Sequence, residues 1–190
     1  LLREVTHRSK NLLAIVTSLA TQTSRTAGST EEFLRRFNGR LQSISRSQDL
    51  VTETNWRGAR LSELIATQVA PYVPEGSQVS VNGPDIYLKP NAALHVGLAL
   101  HELAVSSVRS GGLSAPSGQV TVTVRRLPTG SDPSLSIRWA EDAGAGPDTG
   151  EFGHVLLTRL VPAAVGGTAA LTVDDGGLGY ELTLLRSEYE

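Results

Sequence analysis

Apolar residues recur at helical spacing along the first part of the chain. Leu2, Val5, Ser9, Leu12, Val16 and Leu19 follow steps of three and four, and Leu34, Phe37, Leu41, Ile44, Gln48 and Val51 repeat them. Such stripes form the seams of coiled-coil-like bundles. Between them, TAGSTEEF supplies a stop at Gly28, then Ser29 or Thr30 as N-cap with acidic residues in the next turn. The pattern predicts an antiparallel helical hairpin over residues 1–55. Two helices bury little by themselves, so the remaining apolar flank, Leu13 and Ala20, points to a second copy and a four-helix bundle. The alternative is that the hairpin packs on the rest of its own chain.

From Trp56 the texture changes. GARLSELIATQVAPYV predicts a helix ended by proline, and SQVSVNGP and DIYLK alternate as strands do. PNAALHVGLALHELAVSSVRS predicts a long, largely buried helix with Pro90 in its first turn. GQVTVTVRRL and SLSIRWAE are alternating strands joined by the turn-rich PTGSDPS. EFGHVLLTRLVPAAV predicts a helix, and TAALTVDD with GYELTLL a closing hairpin across two glycines. The sum over residues 56–190 is an α+β domain of two layers, a mixed sheet with about three helices on one face.

Composition narrows the classes. The chain has 190 residues, 39% of them hydrophobic but only 5% aromatic, so the core is built of Leu, Val, Ala and Ile. A formal charge of −2 gives no bulk attraction to nucleic acid or anionic membrane, and the scattered basic residues lack aromatic interleaving. Cysteine is absent, which excludes disulfides and thiolate metal sites and permits a cytoplasmic setting. No apolar run reaches the ~20 residues of a membrane span. No methionine occurs and the chain begins at Leu1, from which we expect a piece of a longer protein.

The first helix carries chemistry of its own. His7 lies two residues from Val5, and at ~100° per residue it points away from the seam, with Glu4 and Asn11 one turn to either side. Arg8 and Lys10 add two cations. A surface histidine is usually inert, so the helix alone assigns it no role.

Taken together the motifs resemble the core of two-component sensor histidine kinases of the HWE family. The family's phosphoacceptor box reads approximately His-Arg-x-Lys-Asn-x-Leu, and here HRSKNLL runs from His7 to Leu13. The family is named for a histidine in its nucleotide helix and a Trp-x-Glu strand end. HELAVSSVRSGGLS supplies His101 and Glu102, and RWAE supplies Trp139 and Glu141. The stretch LVTETNWRGARLSELIATQVAPY is similar to the family's linker helix.

The resemblance implies a dimerisation and phosphotransfer hairpin over 1–55 and, over 56–190, an ATP-binding domain of the Bergerat or GHKL type, a two-layer α/β sandwich. It implies that His7 accepts the phosphoryl group, as a mostly neutral imidazole can near pH 7. Arg8 and Lys10 would offset phosphoryl charge, Asn11 completes the box, and Glu4 would orient the ring. ATP and magnesium are the implied cofactors, a response-regulator receiver domain and a second copy the implied partners.

The nucleotide helix departs from the family pattern. Active relatives read HELATNAxKYGALS, whose asparagine holds magnesium. Here Ser106 takes the asparagine's place, Arg109 the lysine's and Ser110 the tyrosine's. A serine hydroxyl is shorter than an amide carbonyl and a poorer magnesium ligand, so the loss bears on phosphoryl transfer itself. Asp142, Gly144 and Gly146 fit an Asp-x-Gly-x-Gly turn, in which the acid accepts from the adenine amino group. Gly150 and Gly153 precede a helix start that could face phosphate. The stretch from Glu141 to Gly150 is shorter than the lid of active relatives. By themselves these glycines only make turns, and His101 and Trp139 read as structural marks of the family. No role falls to His95 or His154.

An intact phosphoacceptor box beside a damaged nucleotide helix favours a phosphotransferase over an autokinase. A scaffold that only binds a receiver domain has no need of the box.

Overall fold

The computed structural model describes residues 2–114, 117–128, 134–142, 150–174 and 177–190, without the side chains of 2–8, 150–152 and 174. The chain forms two compact units, 1–42 and 43–190. The division falls within a helix, earlier than the sequence boundary at residue 55.

The first unit holds α1 (Leu2–Thr26) and the first part of α2 (Thr30–Glu53). Ser29 caps α2: its hydroxyl accepts from the Glu32 N–H at 3.1 Å, and the Glu32 carboxylate accepts from the Gly28 N–H at 2.8 Å. The helices fold back on each other. Arg40, buried in α2, donates to the Thr23 hydroxyl at 2.9 Å, and that hydroxyl donates to the Leu19 carbonyl at 2.6 Å. The seam is partly as expected: Leu19 and Ile44 are buried and Leu12, Val16 and Leu41 half-buried. Leu34 is exposed instead, because stacked Phe33 and Phe37, 5.4 Å apart, take that part of the surface.

The second unit begins at Ser43, because the rest of α2 carries small polar residues that bury against later helices. The backbone leaves α2 through Asn55 and Trp56, both at positive φ, with the Trp56 N–H returning to the Val51 carbonyl at 2.8 Å. Then come β1 (Ala59–Arg60), α3 (Leu61–Gln68), β2 (Gln78–Asn82), β3 (Tyr87–Leu88) and α4 (Pro90–Ser110). They are followed by β4 (Gln119–Leu127), β5 (Ser134–Asp142), α5 (Gly150–Val155), α6 (Val161–Ala164), β6 (Ala169–Asp174) and β7 (Gly177–Leu184). The expected helix over 151–165 forms over 150–164 but changes its winding in the middle. Leu156–Leu160 widens to a π turn just before Pro162, which has no N–H to continue the ladder.

The main sheet has the order β2-β4-β5-β7-β6, with β2 parallel to β4 and the other pairs antiparallel. Alternation sets its faces. Val120, Val122 and Val124 of β4, Leu135, Ile137 and Trp139 of β5, and Tyr180 and Leu182 of β7 are buried. Between them, Thr121, Thr123, Arg138 and Glu181 point the other way. DIYLK joins a different sheet from the one expected, as β3 pairs with β1. Two-residue strands have no periodicity to read.

α2, α3 and α4 meet through polar atoms. Gln68, fully buried, donates to the Ser43 carbonyl at 2.8 Å and the Ser47 hydroxyl at 3.0 Å, and accepts from Arg46 at 3.2 Å. Gly97 allows α4 to lie close, since a Cβ there would stand 2.2 Å from Ser47 Oγ. Among the described residues, no helix is long and apolar enough to cross a membrane.

Candidate functional site

His7, Arg8 and Glu4 lie on α1, but their side chains are outside the described set, so the expected outward direction of His7 stays with the sequence. Lys10 and Asn11 follow on α1, both exposed.

Most of the described residues expected at the nucleotide site lie on two elements of the second unit: the second half of α4 and the end of β5. His101 is buried, with Nδ1 3.2 Å from the Tyr72 hydroxyl and the two rings edge to face. Glu102 is half-buried and Arg109 exposed. Ser106 is buried, 3% exposed, and its hydroxyl has no hydrogen-bond partner among the described residues.

Trp139 and Glu141 share the inner face of β5, two residues apart. The indole N–H donates to Glu141 Oε1 at 2.8 Å, and Glu141 Oε2 accepts the Gly112 N–H at 2.7 Å. Glu141 as a whole is 3% exposed. Gly112 opens the short helical turn Gly112–Ser114 that follows α4. That turn is held twice more: the Leu113 N–H donates to Ser107 Oγ at 3.1 Å, and the Ser114 hydroxyl to the Gly111 carbonyl at 2.6 Å. Gly111 has no alternative, since a Cβ would sit 2.2 Å from Glu141 Oε2 and 2.7 Å from the Ser107 backbone.

Asp142 is exposed, one residue on and so on the opposite face of β5 from Glu141. Gly144 and Gly146, with the stretch read as a shortened lid, fall outside the described residues. Gly150 opens α5, and Gly153 is buried within it. The structure thus joins Trp139 and Glu141 to the turn that follows α4 and sets Asp142 on the other face of β5. Sequence reasoning missed Tyr72, Gly111, Gly112 and Ser107 as partners. The glycine pair after a helix was a visible signal; Tyr72 offered none.

A magnesium-held triphosphate can be tested against these residues. Ser106 Oγ, at the place the family gives to the metal-binding amide, is shut off from solvent. Its reach is also shorter than an amide's, so at this position the chain does not offer the open amide oxygen of the family pattern.

Residues 4–85 match the family model described as HWE histidine kinase. Curated relatives include the blue-light-activated histidine kinase of Brucella ovis, 32% identical over 163 residues, covering 84% of this chain and 33% of that protein. The same-named protein of Brucella anthropi is 31% identical over the same extent. The chain spans about one third of the length of the curated relatives it matches. Among solved structures, the histidine kinase domain of a blue-light activated histidine kinase from Erythrobacter litoralis superposes with a TM-score of 0.64 at 13% identity, covering 92% of this chain and 95% of that one. The longer Erythrobacter litoralis protein gives 0.59 at 20% identity, covering 98% of this chain and 62% of that one. These two likenesses show the fold alone, an α+β arrangement. With the phosphoacceptor box, His101 and Trp139-x-Glu141 in place, the chain belongs to the HWE histidine kinase family and carries that family's core.

Proposed function

We propose that the chain is a dimeric histidine phosphotransferase built on a histidine kinase core, working in two-component signalling. His7 takes a phosphoryl group from the aspartate of one response-regulator receiver domain and gives it to another. Residues 1–55 act as the dimerisation and phosphotransfer hairpin, and residues 56–190 as a domain of ATP-binding ancestry. In the transfer the acyl phosphate P–O bond breaks and a bond from an imidazole nitrogen to phosphorus forms. Arg8 and Lys10 offset charge on the moving group. A cytoplasmic setting belongs to the same reading.

The observation that carries it is Ser106. A buried, unpartnered hydroxyl stands where a working site needs an amide oxygen open to magnesium. Half-exposed seam residues Leu12, Val16 and Leu41, with Leu13 at 65% exposure, support pairing with a second copy. The curated relatives bear the name histidine kinase, which favours a second reading, a chain that labels His7 from ATP itself. Incubation with labelled ATP and magnesium separates the two. The phosphotransferase reading expects little acid-labile label on the chain; rapid, stoichiometric label on His7 would establish the autokinase instead.

A further inference from the structure

We propose that Glu141 is a positioning residue: its buried carboxylate fixes the turn after α4 to the end of β5 and so holds the last turns of the nucleotide helix in register with the sheet. The assignment of α4 as nucleotide helix rests on the function proposed above; the clamp does not.

Three observations carry it. First, each carboxylate oxygen takes a donor from a different segment, Trp139 Nε1 at 2.8 Å and the Gly112 N–H at 2.7 Å. Gly112 is 29 positions away along the chain. Second, the site is shaped around the carboxylate, since any side chain at 111 would displace Oε2. Third, the group is buried, where an acceptor without its donors is costly. The two segments it joins carry Ser106 and Arg109 on one side, and on the other the β5 exit that leads into Gly144 and Gly146. Glutamine at 141 keeps the shape but turns one acceptor into an NH2 group facing an N–H.

The test is NMR on the ¹⁵N,¹³C-labelled 190-residue chain. A through-hydrogen-bond coupling from Gly112 N to Glu141 Cδ is expected in the unmodified chain, with the Gly112 amide and Trp139 indole protons shifted downfield. Glu141→Gln leaves one oxygen for two donors, so either the Gly112 amide or the Trp139 indole proton should lose its downfield shift. With the oxygen on Trp139, the coupling disappears and Gly112 exchange speeds by about tenfold. Gly111→Ala should remove the coupling and speed that exchange by displacing Oε2. Trp139→Phe removes more packing but leaves Oε2 in place, so Gly112 should stay protected. An unmodified chain without the coupling overturns the proposal. So does a Trp139→Phe chain whose Gly112 loosens as much as in Gly111→Ala, because packing would then be the cause. Should Glu141→Gln fail to fold, the coupling in the unmodified chain still decides. Phosphate uptake enters none of these readouts, so failure of the phosphotransferase reading would show elsewhere.

Discussion

Trp139 and Glu141, two residues apart on β5, are bonded to each other by an indole N–H and a carboxylate oxygen 2.8 Å apart. Strand alternation makes this possible: residues i and i+2 share a face, and here the shared face is the buried one. The Trp and Glu of the family name are thus a bonded pair, and Glu141 passes the connection on to Gly112. Trp139→Phe leaves Glu141 Oε1 buried without its donor. It should destabilise the chain by ~1–3 kcal/mol beyond the loss of ring area, measured by urea unfolding. A Trp139→Phe loss no larger than that of the Trp139→Phe change made on a Glu141→Leu background, where the acceptor is already gone, would mean the bond contributes nothing.

Gly97→Ala should destabilise despite helix propensity. Alanine gains roughly 1 kcal/mol over glycine inside a helix, but its Cβ would meet Ser47 Oγ at 2.2 Å. Overpacking costs ~1–3 kcal/mol, and Ser47 cannot turn away without giving up its bond from Gln68. In the Gly97→Ala/Ser47→Ala pair the clash is gone, so part of the loss should return. A double-mutant cycle measures this, and strictly additive effects would show that the helices do not meet as described.

Stability should fall on acidification through His95. Burial lowers the pKa of this imidazole from its ordinary 6.5, opposed by its bond to the Asn91 carbonyl and the nearby Glu188 carboxylate. The unfolded chain therefore takes up the proton first as pH drops. The contribution of neutral His95 is present above about pH 6.5 and is lost as pH falls through the lowered folded value. Urea unfolding at about pH 7.5 and about pH 5.5 should show the loss, and His95→Gln should shrink it. An equal loss in the variant would assign the effect to other groups.

Much of this was legible in the sequence, and the failures have physical causes. The hairpin, the long α4 and strands β4, β5 and β7 follow from spacing, because each buries one face along many residues. Leu34 was misplaced because at the start of α2 Phe33, stacked on Phe37 of the expected stripe, takes the half-buried position in its stead. β1 was missed and β3, read as a strand, was given to the wrong sheet, because two-residue strands carry no periodicity. The π turn over Leu156–Leu160 depends on how a helix accommodates Pro162. At the site, Ser106 was singled out by its departure from the family pattern. The Glu141–Gly112 bond was not, since residues 29 apart meet only through the fold.

The Ser106→Asn/Arg109→Lys double variant should bind ATP more tightly than the unmodified chain while gaining little turnover. An amide supplies the helix's part of the site, but the stretch between Glu141 and Gly150, read from the resemblance as a shortened lid, is left unchanged. Calorimetry with MgATP and a labelled-ATP assay on both proteins check the two halves. Equal affinity in the two proteins would remove Ser106 as the reason for a weak site.

The central claim is that His7 carries the phosphoryl group and that a receiver domain supplies it. The most direct measurement mixes the unmodified chain, and separately His7→Ala, with a receiver domain phosphorylated on its aspartate with labelled phosphate, then follows acid-labile label on the chain. We predict label on the unmodified chain and none on His7→Ala, with both proteins folded alike by circular dichroism. Label of equal extent on His7→Ala would contradict the account.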